Sequence, residues 1–127
     1  MAVNVEKHIQ HWLQGAGEAW EDADALLEKK RYAFAAFAAH LALEKTLKAH
    51  VTRVSKDIPP RTHDLKRLGE LAGLSLSPEQ VEFFGEFNKY QLESRYRELD
   101  APMSKPESVL ESIRGAKRLC EWLKQQL

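Results

Sequence analysis

Between Tyr32 and Leu43 the chain reads YAFAAFAAHLAL, a stretch that is apolar on almost every face of a helix. A surface helix shows one apolar stripe, whereas a helix apolar all round has to be covered by others. This segment is therefore expected to be the most buried helix of the fold, running from about Tyr32 to Val54. Its alanine-rich part, Tyr32–Ala39, stops at His40. No apolar run approaches the roughly 18–20 residues that cross a bilayer. The N-terminus MAVNVEKHIQ lacks the apolar centre of a signal peptide. We expect a cytoplasmic protein with no membrane contact.

Helical spacing recurs along the rest of the chain, and period-two alternation is nearly absent. Val5, Ile9, Trp12, Leu13, Ala16, Trp20, Ala23 and Leu27 follow steps of three and four. They predict a first helix closed by Lys29-Lys30-Arg31, cations that suit the negative C-terminal end. Gly15 and Gly17 inside it suggest close approach of another helix. Ser55–Thr62 carries Pro59-Pro60 and reads as a loop. Asp64–Ala72 reads as a short helix ended by Gly73. Ser77-Pro78-Glu79-Gln80 is a capping box with proline at the first helical position. It starts a fourth helix whose core stripe is Val81, Phe84, Phe87 and Tyr90. Ser104-Lys105-Pro106-Glu107 repeats that logic before a last helix, and Cys120 falls on its stripe as a buried thiol.

The expected fold is all-α: an antiparallel up-and-down helical bundle of four long helices plus one short helix. With 127 residues it forms one domain over the whole length, 1–127. The single cysteine allows neither an intrachain disulfide nor a cysteine zinc cluster.

Charge narrows the choice of partners. Lys+Arg and Asp+Glu both total 19. That balance argues against a protein living on non-specific contact with nucleic acid. The distribution is uneven, however. Residues 1–28 carry six acids against Lys7, a net of −5, and residues 45–67 carry seven bases against Asp57 and Asp64, a net of +5. Two readings stay open. The blocks are solvated or mutually facing surfaces, or the end of the second helix and its loop form a phosphate site. His40, Glu44 and Lys48 share one face of the most buried helix and need partners, since unpaired buried charge is costly. Gln91, Glu93, Arg95 and Arg97 on the fourth helix are the candidates, which implies a polar groove between helices two and four.

Other chemistry is missing. There is no glycine-rich phosphate loop and no nucleophile elbow. His8 and His11, three apart, lack a third metal ligand and read as surface histidines. No metal and no cofactor are expected.

Taken in order, the A-x-x-A-x-E-K-x-x-K-A helix within FAAHLALEKTLKAHVTR, the helix start THDLKRLGEL, and FNKYQLESRYREL with its Tyr then Ser-Arg-Tyr resemble a HEPN domain, named for a nucleotide-binding domain of higher eukaryotes and prokaryotes. The likeness is to the small stand-alone prokaryotic kind. The resemblance implies a helical bundle that dimerises through polar helix faces. It also implies partnership with a separate small nucleotidyltransferase, often as a toxin–antitoxin pair. Many such domains are metal-independent ribonucleases using R-x(4–6)-H. Here the three positions after Arg95 where that histidine would stand hold Asp100, Ala101 and Pro102, and none of the seven other arginines has a histidine at that spacing. Imidazole is the natural acid–base for 2′-hydroxyl attack, so its absence argues for a non-catalytic module with no catalytic residue of that motif. Binding of nucleotide or RNA is carried over to Glu44, Lys45, Lys48, His63, Arg95 and Tyr96. Two alternatives stay open: a ribonuclease with a divergent site, where Arg95 holds phosphate and His40 or His63 approaches it, and a purely structural dimeric adaptor. A homodimer is expected, with helices two and four and Arg95 near the two-fold axis.

Overall fold

The computed structural model describes residues 3–93 and 104–127, and all regular structure among them is helical. Helix α1 (Val5–Glu28) and helix α2 (Tyr32–Ser55) form a long hairpin. A short α3 (Leu65–Leu71), α4 (Pro78–Phe87), a single turn α5 (Tyr90–Glu93) and a long α6 (Pro106–Gln125) follow. Cross-helix pairs give the directions. Lys48 lies over Trp12 and Lys45 over Gly15, so α1 and α2 are antiparallel. Thr46 meets Cys120 and His50 meets Leu123, so α2 and α6 run the same way. Phe83 packs on Gly115 and Tyr90 bonds Ser112, so α4–α5 opposes α6. Successive long elements alternate, and the bundle is up-and-down.

Helix α2 is the buried element its sequence predicts. Ala35, Ala36, Ala39, Ala42, Leu43 and Leu47 are fully buried. Small residues let α1 approach it closely through Ala16, Ala19 and Ala23, also buried. The remaining core comes from Leu65 and Leu68 of α3, Phe84, Phe87 and Tyr90 of α4–α5, and Ile113, Ala116 and Leu123 of α6.

Local signals explain most boundaries. Asn4 caps α1 through Lys7 N at 3.1 Å. The turn to α2 passes through Lys30 at φ 58°, and α2 ends on left-handed Lys56 at φ 56°. Asp64 caps α3 by accepting from Lys66 N at 3.0 Å. Gly73, at φ +70°, follows α3 where a Cβ would also stand 3.1 Å from Val54. The capping box at Ser77 and Gln80 forms with both of its bonds.

Three local readings differ from the structure. The fourth helix arrives in two pieces, because Asn88 and Lys89 interrupt it. Gln91 N and Leu92 N bond back three residues, to the carbonyls of Asn88 and Lys89 at 3.2 and 3.1 Å. Those bonds tighten the chain where α5 begins. Asn88 N still bonds Phe84 O at 3.2 Å, and the shift to three-residue bonds begins at Lys89 N, which bonds Glu86 O at 3.3 Å. Second, Ser104 does not cap α6: the cap position is Lys105, without a side-chain bond, and Ser104 Oγ donates to Glu93 Oε1 at 2.9 Å. Third, of the two α1 glycines only Gly15 faces a neighbour; nothing lies within 4 Å of a Cβ at Gly17.

Candidate functional site

Among the described residues, the buried polar side chains are His40, Glu44, Thr46, Lys48, His50 and Thr52, all on α2. The 3.6-residue repeat divides them. Thr46 and His50 face α6. His40, Glu44 and Lys48, spaced by four, face the opposite way, toward α1 and the chain that leads into α3.

Glu44 is the centre of that second stripe. Its Oε2 accepts from Lys48 Nζ at 3.0 Å, and its Oε1 lies 3.0 Å from His63 Nδ1. A carboxylate can only accept, so Nδ1 of His63 carries the hydrogen. Lys48 is further held over the Trp12 ring, 5.4 Å from its centroid, a favourable cation–π contact. The loop after α2 thus runs back along the helix to His63, which puts that residue beside Glu44, about three turns below the helix end.

Asn88 is the second hub. Its Oδ1 accepts from Leu65 N at 3.0 Å, and its Nδ2 donates to Asp64 Oδ1 at 2.8 Å. Because Leu65 N–H is an obligatory donor, the amide oxygen faces it. His40 Nε2, 3.1 Å from the same oxygen, must therefore donate as well. His40 is then neutral with its lone pair on Nδ1, 3.9 Å from Glu44 Oε1. Desolvation by burial holds its pKa below the ordinary 6.5, outweighing the raising effects of the Asn88 bond and the Glu44 charge. Asn88 and His63 together tie the start of α3 to α2.

The sequence candidates separate into three groups. Glu44, Lys48 and His63 come together. Lys45 does not join them: it is half-buried and crosses α1 at Gly15, where a Cβ would stand 2.9 Å from its Cδ and Nζ. Arg95 and Tyr96 lie outside the described residues, as does Arg97. Of the groove partners expected on the fourth helix, Arg95 and Arg97 are among those outside the described residues, and Glu93 is engaged elsewhere. Glu93 bonds Ser104, and the side chain that reaches His40 from that helix is Asn88. Sequence reading missed Asn88 and Asp64. The signal for Asp64 was its cap position before a helix; nothing in the local sequence marks Asn88.

The basic segment has lost its acids to the backbone. Asp57 Oδ1 accepts from Ile58 N at 2.7 Å, and Asp64 Oδ1 from Lys66 N and Asn88. Arg53, Lys56, Arg61 and Lys66 are exposed. Among the described residues none of the four forms an ion pair, and none joins the acidic block of α1 to the basic block. No group of three or more potential metal ligands occurs among the described residues.

The model of the HEPN domain matches residues 9–126. The chain belongs to the HEPN family. Two solved structures share the fold. TT1696 from Thermus thermophilus is 23% identical with TM-score 0.76, over 94% of this chain and 98% of that one. ST0689, an archaeal HEPN homologue, is 22% identical with TM-score 0.68, over 93% and 96%. A search of curated proteins returned no match. No helix among the described residues of this HEPN chain is long and apolar enough to cross a membrane.

Proposed function

We propose that this HEPN domain binds the phosphates of a nucleotide or RNA through the end of α2 and the loop into α3, acting as the non-catalytic partner of a separate small nucleotidyltransferase in a toxin–antitoxin-type pair. The observation that carries the binding component is the set of exposed cations in residues 45–67 that no acid among the described residues pairs with. Both acids cap backbone N–H groups, while Arg53, Lys56, Arg61 and Lys66 stay exposed and unpaired among the described residues. A surface of that kind attracts polyanions and gains affinity by releasing their counterions. Lys48 is not part of the contact surface, since Glu44 and Trp12 already hold its ammonium. The partner component is supported by family membership. Homodimerisation belongs to the same reading and draws on large apolar side chains still exposed on α2 and α5, Phe34 at 41% and Leu92 at 49%.

The test is an anisotropy titration with a labelled 2′-O-methyl RNA, alongside ATP and GTP. Affinity should fall with added salt, by a log–log slope of roughly 0.7 per phosphate contact. The triple variant Lys56→Glu, Arg61→Glu, Lys66→Glu should weaken binding at least about tenfold, as each lost phosphate contact removes released counterions. Absence of binding at millimolar ligand removes the nucleotide component. Gel filtration with a nucleotidyltransferase encoded beside this chain tests the partner component, and light scattering near 14.6 kDa would exclude the homodimer.

A further inference from the structure

A groove of about 550 Å³ runs between α4 and α6, and none of its lining residues belongs to residues 45–67. Its floor is apolar and aromatic: Phe83, Leu119 and Trp122, each half-buried. Gly115 gives the floor its depth, because a Cβ there would stand 3.0 Å from Phe83 Cε2. The rim is acidic. Glu79, Glu86 and Glu111 are exposed against the single cation Arg118, a net of −2. None of these four side chains has an ion pair or hydrogen bond among the described residues.

Residues 53–61 carry the complementary chemistry. Among the described residues Ile58, at 63%, and Val54, at 53%, are the most exposed large hydrophobic side chains. Around them Arg53, Lys56 and Arg61 are exposed, and with Asp57 the segment has a net of +2. Its shape is held before any contact. Asp57 N donates to Ser55 Oγ at 3.2 Å, Ile58 N donates to Asp57 Oδ1 at 2.7 Å, and Pro59 is buried. A preorganised segment pays little ordering cost when it docks.

We propose that the α4–α6 groove docks residues 53–61 of a second copy of this chain, with Val54 and Ile58 on the aromatic floor and the three cations on the acidic rim. Two grooves placed face to face would set acid against acid, which disfavours contact between like faces. Two copies can instead exchange segments about a two-fold axis, each supplying one groove and one segment. This contact is separate from a dimer built on the exposed side chains of α2 and α5. It also covers cations assigned above to phosphate, so docking and phosphate binding exclude one another. Self-association is thereby the regulation of that site, and this part alone rests on the phosphate-binding reading.

The experiment is a charge swap on the full chain, read by sedimentation velocity across a concentration series. Glu86→Lys with Glu111→Lys turns the rim to a net of +2, and Lys56→Glu with Arg61→Glu turns the segment to −2. All four side chains are exposed, and circular dichroism should show both variants folded as the parent is. Each variant alone should self-associate at least about tenfold more weakly than the parent, because like charges then meet. Mixed in equal amounts the two should recover association, since every groove then faces a segment of opposite sign. A parent mass near 14.6 kDa throughout, a dimer that persists unchanged in both variants, or a mixture no stronger than either variant alone overturns the proposal. Excess short 2′-O-methyl RNA should dissociate the parent assembly. RNA that binds without weakening self-association overturns the regulation. Absence of RNA binding removes the phosphate-binding reading, while the charge swap still decides the docking.

Discussion

Helix α2 solves the same problem twice, in opposite ways. Toward α6 its polar groups are neutral and closed. Thr46 Oγ1 donates to Ala42 O at 2.8 Å, which obliges the Cys120 thiol, 3.2 Å away, to donate to Thr46. Trp20 Nε1 in turn donates to Cys120 Sγ at 3.3 Å. His50 Nε2 donates to Leu123 O at 2.7 Å. Toward the loop the groups are charged and open: Glu44 binds Lys48 on one oxygen and a surface imidazole on the other. A neutral donor can be satisfied by one carbonyl and sealed. A buried carboxylate needs several donors, and one of those supplied here, the His63 imidazole, reaches solvent. The difference explains why the buried charged groups of this helix, Glu44 and Lys48, share one face of α2.

The comparison is most exposed at Glu44. Glu44→Leu strands the Lys48 ammonium against Trp12 and frees His63, and should cost about 3–5 kcal/mol in a urea titration, the range for breaking one partner of a buried ion pair. Adding Lys48→Met should recover most of that loss, since hydrophobic replacement of both partners is often neutral. If the double variant is no more stable than the single one, the charged stripe is not an independent pair.

On the neutral side the effects should be smaller. His50→Ala removes a buried imidazole and its bond to Leu123 O, which keeps only its 3.1 Å bond from Gln126 N, and should cost about 2 kcal/mol from the lost bond and the cavity together. A loss equal to that of Glu44→Leu would erase the distinction between the stripes.

Acid should reach both stripes through their buried histidines. Burial lowers the pKa of His40 and of His50 below 6.5 in the fold, and for His50 the nearby Arg53 lowers it further against the Leu123 bond. Below pH 6.5 the unfolded chain therefore binds more protons than the folded one, so stability falls as pH drops. His50 Nδ1 is buried without a partner, so protonation would create an unpaired donor. The urea midpoint should be lower at pH 5 than at pH 7.5, with a shallower slope in His50→Gln. An unchanged midpoint would mean that neither histidine is kept neutral.

Thr46→Val is the mildest test. It keeps the shape, removes the acceptor for the Cys120 thiol and frees Ala42 O, and should cost about 1 kcal/mol. Its effect should be independent of Glu44→Leu, because the two residues share no partner.

Much of this architecture was legible in the residues. An alanine-rich segment apolar on all faces demands to be surrounded, and helical spacing with Ser77-Pro78 and Gly73 as punctuation marks element ends through purely local bonds. The repeat of four from His40 to Lys48 likewise put three polar residues on one buried face and required that partners exist. Which partners they are is a tertiary matter. Asn88 looks like an ordinary position within the fourth helix, yet Leu65 N, Asp64 and His40 converge on its side-chain amide. His63 sits 19 residues from Glu44, and only the loop folding back along α2 makes them neighbours. Ser104 matches a cap by type and spacing but turns to Glu93 instead. Local sequence determines where backbone groups can be satisfied by near neighbours; the competition among distant donors and acceptors for the same polar atom is decided only once the helices have packed.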